Sequence, residues 1–288
     1  MELIWIIILG FLSLLGAAIS RQITDEFKAW TPWIIRRVVD RAVSMLPKNQ
    51  QERFAEEWRS HVNEIPGDVG KLIAALGFLV ASLEIAGVPA NAAKRAFDIG
   101  ATLVALAALL PLFAIVCVAV YMECPGAILF RQRRIGFDGR EFTCIKFRTL
   151  AVDHERALRE YLAINEDARR EWLIAHKLRN DPRITPLGRF LRRSSLDELP
   201  QLFNVLMGHM SIVGPKSIIA DEIPLYGEHF ADYASVRPGL TGLSQISLRS
   251  TAGYPERVAC DVEYARNRSF RRDMQIIITT VTIVWEDK

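Results

Sequence analysis

Hydrophobic and polar positions follow several rhythms along this chain. Leu3 to Ile19 is an uncharged apolar run of the minimum length for a membrane helix. It opens on Met1-Glu2 rather than on a basic segment, so the pattern predicts a retained transmembrane anchor over 1–22 and not a cleaved signal peptide. The cations Arg21, Lys28, Arg36 and Arg37 come after it, which assigns the next segment to the cytoplasmic side. From Thr31 to Pro66 the period becomes helical. Ile34, Ile35, Val38, Val39, Ala42, Met45 and Leu46 share one face against Arg36, Arg37, Asp40 and Arg41, with Trp30 and Trp33 beside it. Such a helix either lies at the headgroup level or packs on a partner. A second helix is predicted from an Asn49/Glu52 capping box, with Phe54, Trp58, Val62 and Ile65 on one stripe, to Pro66-Gly67. Leu72 to Val88 is apolar but carries Glu84, and it is expected to lie shallowly or to pack on neighbours.

Ile99 to Met122 is uncharged and long enough to cross a bilayer, yet Pro111 sits at its middle, where it removes a backbone hydrogen bond and bends or breaks a helix. Lys94 and Arg95 precede it, and Arg131, Arg133, Arg134, Arg140, Lys146 and Arg148 follow. Cations at both ends assign both ends to the cytoplasm, so the simplest solution dips in, turns at Pro111 and returns. Beyond it, Ile128–Phe130 and Phe142–Ile145 are predicted strands of a hairpin joined through Gly136 and Asp138-Gly139. The hairpin's positive charges either protect a solvated edge or contact phosphate. His154 to Lys177 is predicted as a charged helix, and Ser211–Val213 as a strand running into Gly214-Pro215-Lys216. Arg237 heads a second rigid turn ending at Gly242. Ile276 to Trp285 is rich in β-branched residues, for which propensity favours a strand.

Composition narrows the classes. A chain of 288 residues, 50% hydrophobic, suffices for one good-sized core plus segments embedded in lipid. A net charge of +3 without aromatics interleaved among the cations argues against nucleic acid. The four cysteines lack C-x-x-C spacing and fit a reducing compartment, and the five histidines make no ligand-spaced pair.

The chemistry concentrates between Arg192 and Lys216. Ser195 and Glu198 are spaced as a capping box, and Leu199, Leu202, Phe203 and Leu206 recur at helical spacing until Gly208. Asp197 and Glu198 are then either first-turn acids facing the helix dipole or, beside Arg192 and Arg193, equipment for handling a phosphate and a divalent metal. Adjacent helical residues point about 100° apart, so the two acids would do different jobs.

The stretch DPRITPLGRFLRRSSLDELPQLFNVL, Asp181 to Leu206, resembles the signature of the bacterial sugar transferases, the monotopic phosphoglycosyl transferases. The resemblance runs from Lys94 to Trp285 and includes Phe130, Gln132, Arg134 and Gly136 of F-x-Q-x-R-x-G, the K-F-R-T string Lys146 to Thr149, and the closing residues Asp261, Tyr264, Asn267, Ser269 and Asp273. It implies an α+β, mainly helical, membrane-associated catalytic domain over 91–288. The domain would have a re-entrant, Pro-broken helix over 97–122 that carries Lys94, Arg95, Asp98 and Pro111, a small β-hairpin and interfacial helices. Residues 23–90, outside the resemblance, are expected to be a membrane-associated helical region of no assigned role. The resemblance further implies transfer of a sugar phosphate from a UDP-sugar to polyprenyl phosphate at the cytoplasmic face of the bacterial plasma membrane, as the first membrane step of surface-glycan assembly. Asp197 would be the nucleophile that forms an aspartyl phosphosugar and expels UMP, and Glu198 would hold Mg²⁺. Lys146, Arg148, Arg192, Lys216, Arg237 and Arg134 would bind substrate phosphate, and a homodimer stays open. For the tail the resemblance implies a membrane-hugging helix.

The chain departs from the family pattern at several positions. Leu110 replaces a Ser, Leu150 a Met, His209 the Asp of G-D-M-S, Lys216-Ser217 an Arg-Pro, and Ser247-Leu248-Arg249 an Asn-Gly-Arg. Lysine keeps the charge but loses the bidentate fork of arginine, so nucleotide or sugar preference is expected to differ. The rival reading is a membrane-anchored scaffold on the same fold, with Asp197 and Glu198 as helix-start acids only.

Overall fold

The computed structural model describes residues 25, 28–86, 90–175, 178, 181–248 and 253–286. The expectations for the Leu3–Ile19 anchor, for Val88, for Lys177 and for Arg249 lie outside the described residues. The chain divides into two compact units, Met1–Leu112 and Phe113–Lys288.

In the first unit, helix α1 covers residues 28–44, α2 Lys48–Glu64 and α3 Asp68–Ile85. The apolar stripe of α1 is spent on the protein's own core. Val39, Ala42 and Leu46 are buried with Trp58, Val62 and Ala75, and Ile35, Val38 and Val43 pack around them. Trp58 stacks on Phe78 with ring centroids 4.7 Å apart, which pins α2 to α3. The face of α1 that carries Val39 and Ala42 is therefore a packing face. Leu72, Ala75 and Val80 are buried too, and α3 packs on neighbours. The predicted Asn49/Glu52 capping box is a correction. The helix starts two residues earlier behind Pro47, whose fixed φ of −54° serves as the boundary, and no side chain caps it.

Helix α4, Ala90–Glu123, runs through the unit boundary in sequence and contains Pro111. Its stretch Asn91–Glu123 is the one described helix long and apolar enough to cross a membrane. Leu103, Leu110, Ile115, Val118 and Tyr121 are all at least half exposed on it. Asp98 is buried at 2% exposure, while Lys94 and Arg95 are half-buried.

The second unit is built on two small sheets. Strands β1, Leu129–Ile135, and β2, Glu141–Phe147, form the predicted hairpin, each longer than the sequence pattern suggested. They pair antiparallel with Phe130 opposite Lys146 and Arg134 opposite Phe142. The chain reverses through Asp138 and Gly139, both at positive φ (61° and 69°), which is why Asp-Gly stands there. Helices α5, His154–Ile164, and α6, Glu166–Ala175, replace the single helix expected over 154–177. Asn165 is the reason: its backbone turns extended, and its Oδ1 accepts from Ala168 N at 2.9 Å to cap the second helix.

Helix α7, Pro186–Arg193, and helix α8, Gln201–Leu206, flank the acids. Strand β3, Ser211–Val213, then leads through the short helices α9, Ile223–Tyr226, and α10, Phe230–Ala234, to β4, Gly239–Thr241. The sequence shows two separate glycine-proline turns, but the fold joins them into one element. β3 and β4 pair in parallel, Gly214 N donates to Thr241 O at 3.0 Å, and Gly239 N donates to Pro215 O at 2.8 Å. A Cβ on Gly239 would lie 2.1 Å from Gly214 N, so the close approach admits glycine alone.

Helices α11, Leu243–Ser247, α12, Tyr254–Arg266, and α13, Phe270–Glu286, complete the unit. The β-branched tail is a helix, as the family pattern and not the propensity indicates. Thr280 and Thr282 donate back to the carbonyls of Ile276 and Ile278, and Ile276 is buried against Val213 and Tyr264.

Between β1 and α12 lies a tyrosine core. Tyr226 Oη donates to Asp261 Oδ2 at 2.7 Å, Ser244 Oγ donates to Asp261 Oδ1 at 3.0 Å, and Tyr233 Oη donates to Ile135 O at 2.7 Å. Burial pushes the Tyr226 and Tyr233 phenols well above the ordinary value of 10.0. An unfolded tyrosine loses its proton near pH 10 and these folded ones do not, so their contribution is complete below that pH and is lost as pH rises through it. Stability is therefore expected to fall steeply above about pH 10. Tyr226→Phe should make that alkaline fall shallower, while costing roughly 1–3 kcal/mol at neutral pH by depriving Asp261 of a donor. Thermal melts across the alkaline range would show both effects; an unchanged slope would mean that Tyr226 titrates normally.

Candidate active site

The acids sit on a short connection between α7 and α8. Thr185 caps α7, its Oγ1 accepting from Gly188 N at 2.9 Å, with Pro186 in the first turn. Gly188 lets this helix approach closely, since a Cβ there would be 2.2 Å from Thr149 O. Arg192 is carried on the last turn of α7, where its Nε donates to Thr149 Oγ1 at 2.9 Å. Asp181, forked by Arg183 at 2.6 Å, braces the loop that leads into α7.

The capping box expected at Ser195 and Glu198 is not formed. Ser195 sits at φ 55° in the left-handed region and makes no side-chain cap, and Leu196–Glu198 is a 3-10 turn. Pro200 then precedes α8 and separates the acids from it. The acids therefore belong to a bend held at a strained residue, a conformation that costs on the order of 1–3 kcal/mol and clusters at functional sites. The glycine stop is as expected: Gly208 takes φ 82°, and the amides of His209 and Met210 close on Asn204 O.

Glu198 turns toward the hairpin, and Lys146 Nζ donates to its Oε1 at 2.6 Å. Asp197 is buried at 8% exposure. Burial pushes its carboxyl above the ordinary carboxylate range. The Lys146 cation pulls it down, the Glu198 charge pushes it up, Arg192 pulls it down, and the balance stays upward. Asp197 is thus a desolvated acid between two cations and a second acid.

The group that aligns these parts is Asn204, a polar residue among the apolar positions of α8. It is fully buried, its Oδ1 accepts from Ile145 N at 3.0 Å, and its Nδ2 donates to Thr143 O at 2.7 Å. Both bonds go to the β2 backbone immediately before Lys146, so α8 and the lysine are set in one register. A polar residue interrupting a stripe of apolar neighbours was the available signal. Below them Phe113 lies 5.6 Å from Phe147 and 6.0 Å from Phe203, an aromatic floor that continues from the apolar helix to α8.

Of the proposed phosphate ligands, the structure gathers Lys146 and Arg192 around Asp197 and Glu198. The others make contacts of their own. Arg148 reaches the carbonyl of Cys124, and Arg134 donates to Ser217 O at 3.0 Å and lies 3.8 Å from Glu222. Arg237 donates to Gly208 O at 2.8 Å and lies over the Phe137 ring at 5.3 Å. Lys216 is exposed, its own carbonyl accepting from Arg257. His209, at the family's aspartate position, faces the Phe142 ring at 5.8 Å.

Among the described residues no cluster of three or more His, Cys, Asp or Glu is placed to hold a metal. A site with one or two carboxylates suits Mg²⁺ only when phosphate oxygens and waters complete its octahedron. The adjacent carboxylates Asp197 and Glu198 are a donor set of that size.

Residues 89–287 match the family model described as bacterial sugar transferase. The chain is 45% identical over 192 residues to the exopolysaccharide production protein ExoY of Rhizobium meliloti (strain 1021), covering 67% of this chain and 85% of that protein. It is 41% identical over 191 residues to the undecaprenyl-phosphate galactose phosphotransferase of Salmonella typhimurium, covering 66% of this chain and 40% of the relative. It is 38% identical over 207 residues to the UDP-glucose:undecaprenyl-phosphate glucose-1-phosphate transferase of Xanthomonas campestris pv. campestris, covering 68% and 39%. With more than half its length matched and its acids, lysine and arginine gathered at one bend, the chain belongs to the bacterial sugar transferase family.

Proposed function

We propose that the protein moves a sugar 1-phosphate from a UDP-sugar to polyprenyl phosphate through a covalent intermediate on Asp197. The observation that carries this reading is the buried Asp197 beside the Lys146–Glu198 pair. A carboxylate stripped of water is a stronger nucleophile than a solvated one, and the flanking cations allow a diphosphate to approach it. In the first step Asp197 Oδ attacks the sugar-bearing phosphorus. The bond from that phosphorus to the bridging oxygen breaks, and UMP leaves with the oxygen and its electron pair. In the second step a phosphate oxygen of the lipid attacks the same phosphorus and returns the carboxylate to Asp197. Arg192 and Lys146 offset the negative charge that builds in both steps. Glu198 would hold Mg²⁺, which supplies further charge neutralisation on the diphosphate.

With the protein in detergent and no lipid acceptor, labelled UDP-glucose or UDP-galactose should yield a burst of UMP. About one label per protein should be retained through denaturation and mapped to Asp197. A protein that releases UMP only when both substrates are present, and never retains label, would be transferring directly, and the covalent step would be abandoned.

The same reading seats the site at the cytoplasmic face of the plasma membrane, with α4 dipping in and returning at Pro111. Support comes from the proline within an apolar helix and from the cations on both sides of it. In a chain whose four native cysteines are replaced by serine, single cysteines introduced at Asn91 and at Glu123 should then react with an impermeant reagent from one side of the membrane. Labelling from opposite sides would make α4 a crossing helix.

A further inference from the structure

Once the core is assembled, α1 still carries a patterned surface. Val39, Ala42 and Leu46 face inward, and the opposite side of the helix holds Trp30, Trp33, Arg37 and Arg41. Their spacing of three, four and four residues puts them on one stripe, aromatic at its first end and cationic at its last. Trp30 and Trp33 are 57% and 54% exposed, set edge to face with ring centroids 6.0 Å apart. Arg37 lies over the Trp33 ring at 5.3 Å, which holds aromatic and cation together. Arg36 flanks the stripe and is exposed. Asp40, the acid beside it, is taken up by Arg59 at 2.7 Å. The surface is therefore positive and amphipathic.

We propose that this stripe docks the N-terminal unit on an anionic phospholipid headgroup layer. Indole rings have an apolar body and one polar N–H, and they settle where hydrocarbon meets headgroup. Arginines one and two turns further on meet lipid phosphates, each favoured by the negative surface potential of an anionic leaflet. The face is narrow and polar-flanked, which suits a helix lying in the headgroup plane rather than one inserted deeper. The stripe lies outside residues 89–287 and holds none of the catalytic groups, so it is a second, separate membrane contact.

The test uses the full chain in lipid nanodiscs of brominated phosphatidylcholine, with or without phosphatidylglycerol, because bromine quenches tryptophan at short range. In discs containing phosphatidylglycerol, Trp30→Phe/Trp33→Phe should lose a quenched component that the parent chain shows. Arg37→Gln/Arg41→Gln should lose that component too, down to the level seen in discs without the anionic lipid. Trp58, stacked on Phe78 in the core, supplies the folding control, since its buried emission should persist in every variant. Equal quenching in parent and Phe variant, with both indoles open to aqueous acrylamide, would overturn the proposal. Indoles shielded from bromine and acrylamide alike would mean that protein, such as a second copy of the chain, covers the stripe, and would overturn it as well.

Discussion

Asp197→Asn is expected to stop both UMP release and protein labelling, a loss of at least about 10³-fold, because the amide cannot supply the attacking oxygen at a useful rate. The same change should make the metal-free protein more heat-resistant. Asp197 is buried at 8% exposure, and burial raises its carboxyl above the ordinary value of 3.8. A raised acid holds its proton more tightly folded than unfolded, so stability falls as pH rises through the window between 3.8 and the folded value. At neutral pH the ionised carboxylate is then a net cost, which asparagine of the same shape removes. Thermal melts with chelator present should show a higher Tm for the inactive variant. A lower Tm would identify Asp197 as a structural acid, and retained activity would end the covalent mechanism. The two readouts moving in opposite directions is the signature of a residue placed for chemistry at the expense of the fold.

Local rules read the elements well where a single residue decides. Gly208 stops α8, Asp138-Gly139 turns the hairpin, and Ser211–Val213 is a strand. They fail where two signals compete. Ser195 and Glu198 have capping-box spacing, but Glu198 is claimed by Lys146, 52 positions away, and the backbone at Ser195 goes left-handed instead. The face of α1 posed a similar conflict, since amphipathic spacing does not say whether lipid or protein covers it; α2 and α3 supply the cover.

The site itself was legible as a list of charges and not as an arrangement. Six cations carry the family likeness, and two of them, Lys146 and Arg192, act directly on the charge of Asp197. What separates Lys146 and Arg192 from the rest is long-range: β2 is fixed to α8 by Asn204, and Arg192 is fixed to Thr149 across 43 positions. No periodicity carries such information. The tyrosine core around Asp261 was hidden for the same reason, as its partners come from β1, α9, α10, α11 and α12.

The closeness of Lys146 and Glu198 leads to the second large effect. At 2.6 Å, with side chains 23% and 20% exposed, they form a partly buried pair whose members each act on Asp197, one attractive and one repulsive. Lys146→Met leaves a half-buried carboxylate without its cation and removes the charge that most favours ionised Asp197. Glu198→Gln leaves the lysine without its anchor and takes away the expected metal ligand. Each should lower kcat/KM for the UDP-sugar by about 10²–10³-fold, the scale of losing one preorganised charge at a developing anion. If the pair works as a unit, Lys146→Met/Glu198→Gln should cost little more than the worse single change, because the second substitution removes a group whose job was already lost. Independent roles would instead multiply, to about 10⁴–10⁶-fold. Single-turnover UMP release measured for all four proteins at one pH decides between them, and a multiplicative result would mean that the lysine serves the substrate alone and touches Glu198 only at rest.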